Sequence, residues 1–182
     1  MIYKSDEIEK KAVLQAAELM IAAARTAPKA CAVDQLESMI LDGAEKDSLT
    51  AAMRELAKTA TGRLSASYAR DAGSLDNCPA LVLLGIRPVP RALDCGLCGL
   101  PDCAAAVKGG VPCAMGVHDL GIAVGSAAAT AMDHRIDNRI LLTAGMAALR
   151  KKFFSEKVTI CFGIGLSVTG KNIFFDRDRP TA

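Results

Sequence analysis

The stretch "NCPALVLLGI" (Asn77–Ile86) decides the fold. Behind Pro79 it offers an unbroken apolar run, Ala80–Ile86, with no charge and no polar side chain. The run is too short for a core helix, and its composition predicts a strand buried on both faces. Working back from it, residues 63–72 and Asp47–Ala60 read as helices, the second with Leu49, Met53, Leu56 and Ala60 on one side. "LESMIL" (Leu36–Leu41) reads as a strand. A long first helix spans Ser5–Arg25, with Ser5 as its cap, Asp6 and Glu7 in its first turn and apolar residues at Ile8, Ala12, Ala16, Leu19, Met20 and Ala23. Pro28 breaks that helix into the loop "TAPKACAVDQ" (Thr26–Gln35). Working forward, "RPVPRAL" (Arg87–Leu93) leads into a cysteine-rich block with a short helix at 104–108. An Ala/Gly-rich helix over Asp119–Met132 follows, then a helix over Thr143–Lys152 and two strands, "KVTICFGIGL" and "NIFFD". The whole reads as one α+β domain over 1–182, a central mixed or antiparallel sheet flanked by helices, with residues 94–114 inserted.

The composition narrows the function. Of 182 residues, 51% are apolar but only 4% aromatic, so Ala, Val, Ile, Leu and Met fill the interior. A net charge of +2, with acids and bases interspersed, gives no electrostatic reason to expect nucleic acid or an acidic membrane surface as partner. "MIYKSDEIEKK" has no apolar signal core. The weakly polar run Ala114–Met132 contains His118, Asp119 and Gly121, and gains too little from lipid to span a membrane. A cytoplasmic protein is expected.

"DCGLCGLPDCAAAVKGGVPC" (Asp94–Cys113) places Cys95, Cys98, Cys103 and Cys113 at spacing C-x2-C-x4-C-x9-C. In a reducing compartment, clustered thiols are metal ligands or redox groups more often than disulfides. Four thiolates on short turns suit a [4Fe–4S] cluster. Gly96 and Gly99 allow the tight wrapping such a cluster needs; Gly109, Gly110 and Pro112 turn the chain back to Cys113. Leu97, Leu100 and Val111 are expected to form an apolar shell that limits water and shifts the potential. Zinc is the alternative metal. It usually takes two C-x2-C pairs, and the second pair is missing. Of the other cysteines, Cys78 and Cys161 are expected to be idle thiols, and Cys31 lies in the loop after the first helix.

"CGLCGLPDC" followed by a glycine turn and Cys113 resembles the iron–sulfur motif of the corrinoid iron–sulfur protein and of the iron–sulfur component of electron-transport complexes. The longer stretch from Asp94 to Ile140 is similar to a prokaryotic family described as containing a ferredoxin domain. The order of elements also resembles the nitroreductase superfamily of flavoproteins. There the first helix ends in an "A-x-x-A-P-S" loop against FMN, and Ala24, Ala27 and Pro28 match that pattern, with Lys29 in place of Ser. "HDLGIAVGSAAATAM" resembles its central helix, opened by Asp119 and packed at a dimer interface. "FFDRDR" resembles a basic tail that reaches the flavin phosphate. The resemblance implies a nitroreductase-like homodimer, with Gly121 and Gly125 at the contact. It also implies an FMN site at Arg25, Ala27, Pro28 and Lys29, completed by Arg177 and Arg179. The N-terminal arginine run of those flavoproteins is missing, which leaves Arg25, Arg177 and Arg179 as the substitutes for gripping phosphate.

Two other signals point elsewhere. "GLSVTGKN" (Gly165–Asn172) nearly spells a phosphate loop, but Asn172 stands where a hydroxyl is required, and a hairpin turn explains the glycines better. His118 and His134 lack a partnering nucleophile. The alternating Asp133, Arg135, Asp137 and Arg139 read as salt bridges around a helix end. Function is thus expected to be one-electron transfer, with a redox protein or a small-molecule electron acceptor as partner. The alternatives are an FMN reductase fed by the cluster and a zinc-stapled binding module.

Overall fold

A computed structural model describes residues 1–175. Eleven elements follow in chain order, of which those that place the site matter most: α1 (Ser5–Thr26), a single 3-10 turn (Ala30–Ala32), β1 (Leu36–Asp42), α2 (Gly43–Thr59), α3 (Gly62–Asp76), β2 (Ala80–Ile86), α4 (Cys103–Gly109), α5 (Ala114–Asp133), β3 (Asp137–Leu141), α6 (Leu142–Arg150) and β4 (Ile160–Ser167). The four strands form one sheet in the order β1-β2-β4-β3, antiparallel throughout.

Every residue of β2 is buried, as its unbroken apolar run predicts. Side chains alternate across a strand, so β2 feeds two cores. Ala80, Val82, Leu84 and Ile86 pack with Met20 and Ala24 of α1 and Leu120, Ala123 and Ala127 of α5. Leu81 and Leu83 pack with Leu49 and Met53 of α2, Tyr68 and Leu75 of α3 and Ala144 and Ala148 of α6. The result is three layers, helices over both faces of the sheet. Small residues set how close those layers come. A Cβ on Gly145 of α6 would stand 1.9 Å from the Cys161 carbonyl oxygen of β4, so this helix rests directly on strand backbone.

Three expectations change. "NIFF" forms turns after β4 and no strand; Phe174 is buried from that turn, which accounts for the apolar pattern without sheet pairing. Asp137–Leu141 forms edge strand β3, and among the described residues Asp133, Arg135, Asp137 and Arg139 make no ion pairs with one another. Asp133 ends α5, Arg135 lies in the turn after it, and only Asp137 and Arg139 belong to the strand, where two-residue spacing puts both on one face. Arg139 instead donates to the Phe174 carbonyl at 3.2 Å and stacks on the Phe175 ring at 5.0 Å. Finally, α5 begins at Ala114, so Asp119 lies within the helix and is 2% exposed. Among the described residues no single helix is long and apolar enough to cross a membrane.

Candidate functional site

The block from Asp94 to Cys113 is shaped by backbone conformations and carboxylate bonds more than by apolar packing. Gly96 (φ 69°) and Gly99 (φ 81°) both adopt the left-handed region, and the Gly99 N–H donates to the Gly96 carbonyl at 2.9 Å. Asp94 Oδ1 accepts the Cys103 N–H at 2.7 Å, drawing the start of α4 over the first two cysteines. Asp102 caps α4 by accepting the Ala105 N–H at 2.7 Å. Gly110 (φ 64°) ends the helix and returns the chain to Cys113, the residue preceding α5. These contacts bring Cys95, Cys98, Cys103 and Cys113 onto one cavity, completed by Pro90, Asp94, Gly96, Asp102, Ala106 and Ala114. Cys95 is exposed, Cys98 and Cys103 are half-buried and Cys113 is buried; none of the four is in a disulfide. Leu97, Leu100 and Val111 do not line the cavity, and Leu97 is 65% exposed. Pro90, Ala106 and Ala114 supply the apolar wall instead, because Leu97 points outward from the tip of a turn.

The base of the block is held on one face of α5. Cys113, Gly116 and Asp119 recur every three residues and so share that face. The Cys113 N–H donates to the Pro88 carbonyl at 3.0 Å. Gly116 lies flush against Pro88, where a Cβ would come within 2.9 Å of Pro88 Cα. Asp119 Oδ2 accepts from Arg91 Nη2 at 3.0 Å in an ion pair whose side chains are 1% and 2% exposed. Arg91 Nη1 also donates to the Val89 carbonyl. The second oxygen of Asp119 accepts the Ala30 N–H at 3.0 Å. One buried carboxylate therefore joins the segment leading into the cysteine block to the turn after α1. Both segments are conformationally costly: Cys31, Ala32, Ala92 and Asp94 all have φ between 45° and 56° without being glycine. The sequence marks Asp119 but not Arg91; an acid within an Ala/Gly-rich buried helix is the signal that a buried cation must exist.

The expected flavin positions cluster beside that turn. Ala27 is buried and Pro28 exposed. Lys29 Nζ donates to the carbonyls of Ala24, Arg25 and Ala27 at 3.1, 2.7 and 2.7 Å, closing the end of α1. Arg25 pairs with Asp34 at 2.6 Å. Burial pushes Asp34 up, but hydrogen bonds from Arg25 and the Leu36 N–H prevail and hold it below its ordinary value. Both described cations are thus engaged within the chain. Arg177 and Arg179 lie outside the described residues.

The donor set at the cysteine cavity has the chemistry of an iron–sulfur site, four unpaired thiols lining one cavity. The enclosed volume is small, ≈ 20 Å³, with the exposed Asp94–Gly96 turn as one wall. Among the described residues no three His, Cys, Asp or Glu side chains converge on a single ion position. His118 and His134 are exposed. Burial pushes the thiols of Cys78 and Cys161 up to about 12, which leaves them protonated and inert.

A protein of Archaeoglobus fulgidus described as uncharacterized is 32% identical to this chain, over 97% of this chain and 98% of its own length. The sequence profile of the family "uncharacterized protein containing a ferredoxin domain" matches residues 109–177. The chain belongs to this family. The matched segment of the ferredoxin-domain family includes Cys113 but not Cys95, Cys98 or Cys103. In three dimensions the chain is similar to a nitroreductase with bound FMN from Desulfitobacterium hafniense (TM-score 0.61, 16% identity, 94% of this chain and 81% of that one). It is also similar to an FMN-dependent nitroreductase from Mycobacterium smegmatis in complex with NADPH (TM-score 0.58, 15% identity, 93% and 84%). At these identities the likeness establishes the fold alone: a nitroreductase-like α+β domain.

Proposed function

We propose that this member of the ferredoxin-domain family is a cytoplasmic iron–sulfur redox protein that transfers single electrons through a [4Fe–4S] cluster. The observation that carries the reading is the arrival of Cys95, Cys98, Cys103 and Cys113 at one cavity, from a block whose every turn is fixed by glycine or aspartate. Those four thiolates would hold the cluster. The cluster supplies one-electron chemistry when bound. The chain's own contribution is to position and tune. Cys113 stands at the N-terminal end of the twenty-residue helix α5, which fixes where its side chain meets the cavity. The buried Arg91–Asp119 pair fixes the base of the block, and Pro90, Ala106 and Ala114 restrict water on the inner side. Seven unpaired thiols suit a reducing cytoplasm.

A homodimer is part of this reading. Gly121 and Gly125 lie exposed on α5 with no atom of the chain within 4 Å of a Cβ built on either. Nearby, Ile8 and Leu19 of α1 and Met132 of α5 are also exposed. A monomeric mass in solution would contradict it. A second reading, an FMN reductase fed by the cluster, draws on one observation: Asp119 bonds both Arg91, just ahead of the cysteine block, and the turn beside Ala27, Pro28 and Lys29. The test for both is the metal, sulfide and flavin content of anaerobically purified protein, with its visible spectrum. About four irons and four sulfides per chain, with a broad band that bleaches on reduction, are expected. Stoichiometric flavin would add the second reading. Stoichiometric zinc without colour would replace both with a stapled binding module.

A further inference from the structure

Pro90 and Ala106 line the cysteine cavity on one side and a second, open groove on the other. This groove, ≈ 330 Å³, runs between the Arg87–Pro90 segment and the turn at the end of α4. Its apolar lining includes Pro88, Val89, Val107 and Val111, with Val107 67% exposed. Two charged residues line it, Arg87 and Lys157; both are exposed cations, neither forms an ion pair among the described residues, and no carboxylate lines the groove. The adjoining surface exposes Leu93 and Leu97 at the edge of the cysteine block. An apolar groove rimmed by unpaired cations, one residue away from a redox centre, has the chemistry of a transient electron-transfer contact.

We propose that this groove docks a small acidic one-electron carrier protein, whose rim carboxylates meet Arg87 and Lys157 while an apolar side chain enters against Val107 and Val111. The inference rests on the redox reading above. In the docked pair one electron leaves the reduced carrier, which is oxidised by one equivalent, and reduces the centre held by the four cysteines by one equivalent. No bond forms or breaks, and no proton moves.

The experiment measures binding of the intact, anaerobically purified protein to two probes, an acidic ferredoxin and an acidic flavodoxin, at low and high salt. Wild type is compared with the double variant Arg87→Glu/Lys157→Glu and with Lys10→Glu on the distant helix α1. The expected result is binding to at least one probe that weakens with salt, falls roughly tenfold or more in the double variant and is unchanged in Lys10→Glu. Equal affinity for wild type and double variant overturns the proposal. So does loss of self-association, read by light scattering, as the double variant's sole defect, because the groove's occupant is then a second copy. Iron and sulfide content of the same samples separates the two ideas. Wild-type protein without a cluster defeats the redox reading on which the groove rests; cluster-loaded protein that binds neither probe defeats the groove alone.

Discussion

Six of the seven cysteines occupy two settings that differ in almost every physical respect. Cys78 and Cys161 belong to the core between the sheet and α2, α3 and α6, where burial holds their protons and neighbours are apolar. Cys95, Cys98, Cys103 and Cys113 surround one cavity in a block held by two aspartates, three left-handed glycines and a buried ion pair. The same residue type is filler in one place and, in the function proposed above, a ligand set in the other. Surroundings decide which, and a substitution that swaps the surroundings is the way to test it.

The largest effect is expected at the joint between the block and the scaffold. Asp119→Leu leaves the Arg91 guanidinium buried without its partner, at a cost of about 3–5 kcal/mol in chemical denaturation. Adding Arg91→Met should recover most of that loss, whereas cluster retention should stay impaired because the block is no longer tied down. Recovery of both would mean that the pair contributes stability alone. Next comes Gly145→Ala, which drives a methyl group into the Cys161 carbonyl and should cost about 2–3 kcal/mol. Iron content per folded chain should not change, since this glycine serves only the scaffold. Gly116→Ala is the counterpart at the block: about 1–2 kcal/mol from contact with Pro88, accompanied by faster cluster loss in air. If Gly145→Ala and Gly116→Ala affect cluster retention equally, the division between the two regions fails.

The last effect concerns protonation and is absent at neutral pH. With folded values near 12 for Cys78 and Cys161 against 9.0 for an ordinary thiol, the folded chain keeps protons that the unfolded chain releases. Stability should therefore fall as pH climbs from about 9 toward 12, and Cys78→Ala/Cys161→Ala should flatten that slope. Below pH 8, alkylation with mass detection should modify the exposed Cys31 rapidly and these two only after unfolding.

The parts of the molecule legible in the sequence are those whose cause is local. The run Ala80–Ile86 is apolar at every position because both faces are covered, and no helix pattern competes with it. The meeting of the four cysteines at one cavity is likewise legible in their spacing and in the glycines after two of them. Edge strand β3 was hidden because Asp137, Asn138 and Arg139 are polar, and its pairing with β4 comes from tertiary neighbours. "NIFF" misled for the opposite reason: Phe174 is apolar to fill the core from a turn. Leu97 reads as shell because it sits between Cys95 and Cys98, yet a tight turn sends it outward. Arg91 and Asp119 are 28 residues apart, and nothing local in either neighbourhood names the other.

The most direct test of the central claim is the electron paramagnetic resonance spectrum of the anaerobically purified, dithionite-reduced protein, wild type against Cys113→Ser and Cys78→Ser. A reduced-cluster signal in wild type and Cys78→Ser that is altered or lost in Cys113→Ser is the predicted result. A silent spectrum with stoichiometric zinc, or one signal shared unchanged by all three proteins, would contradict it.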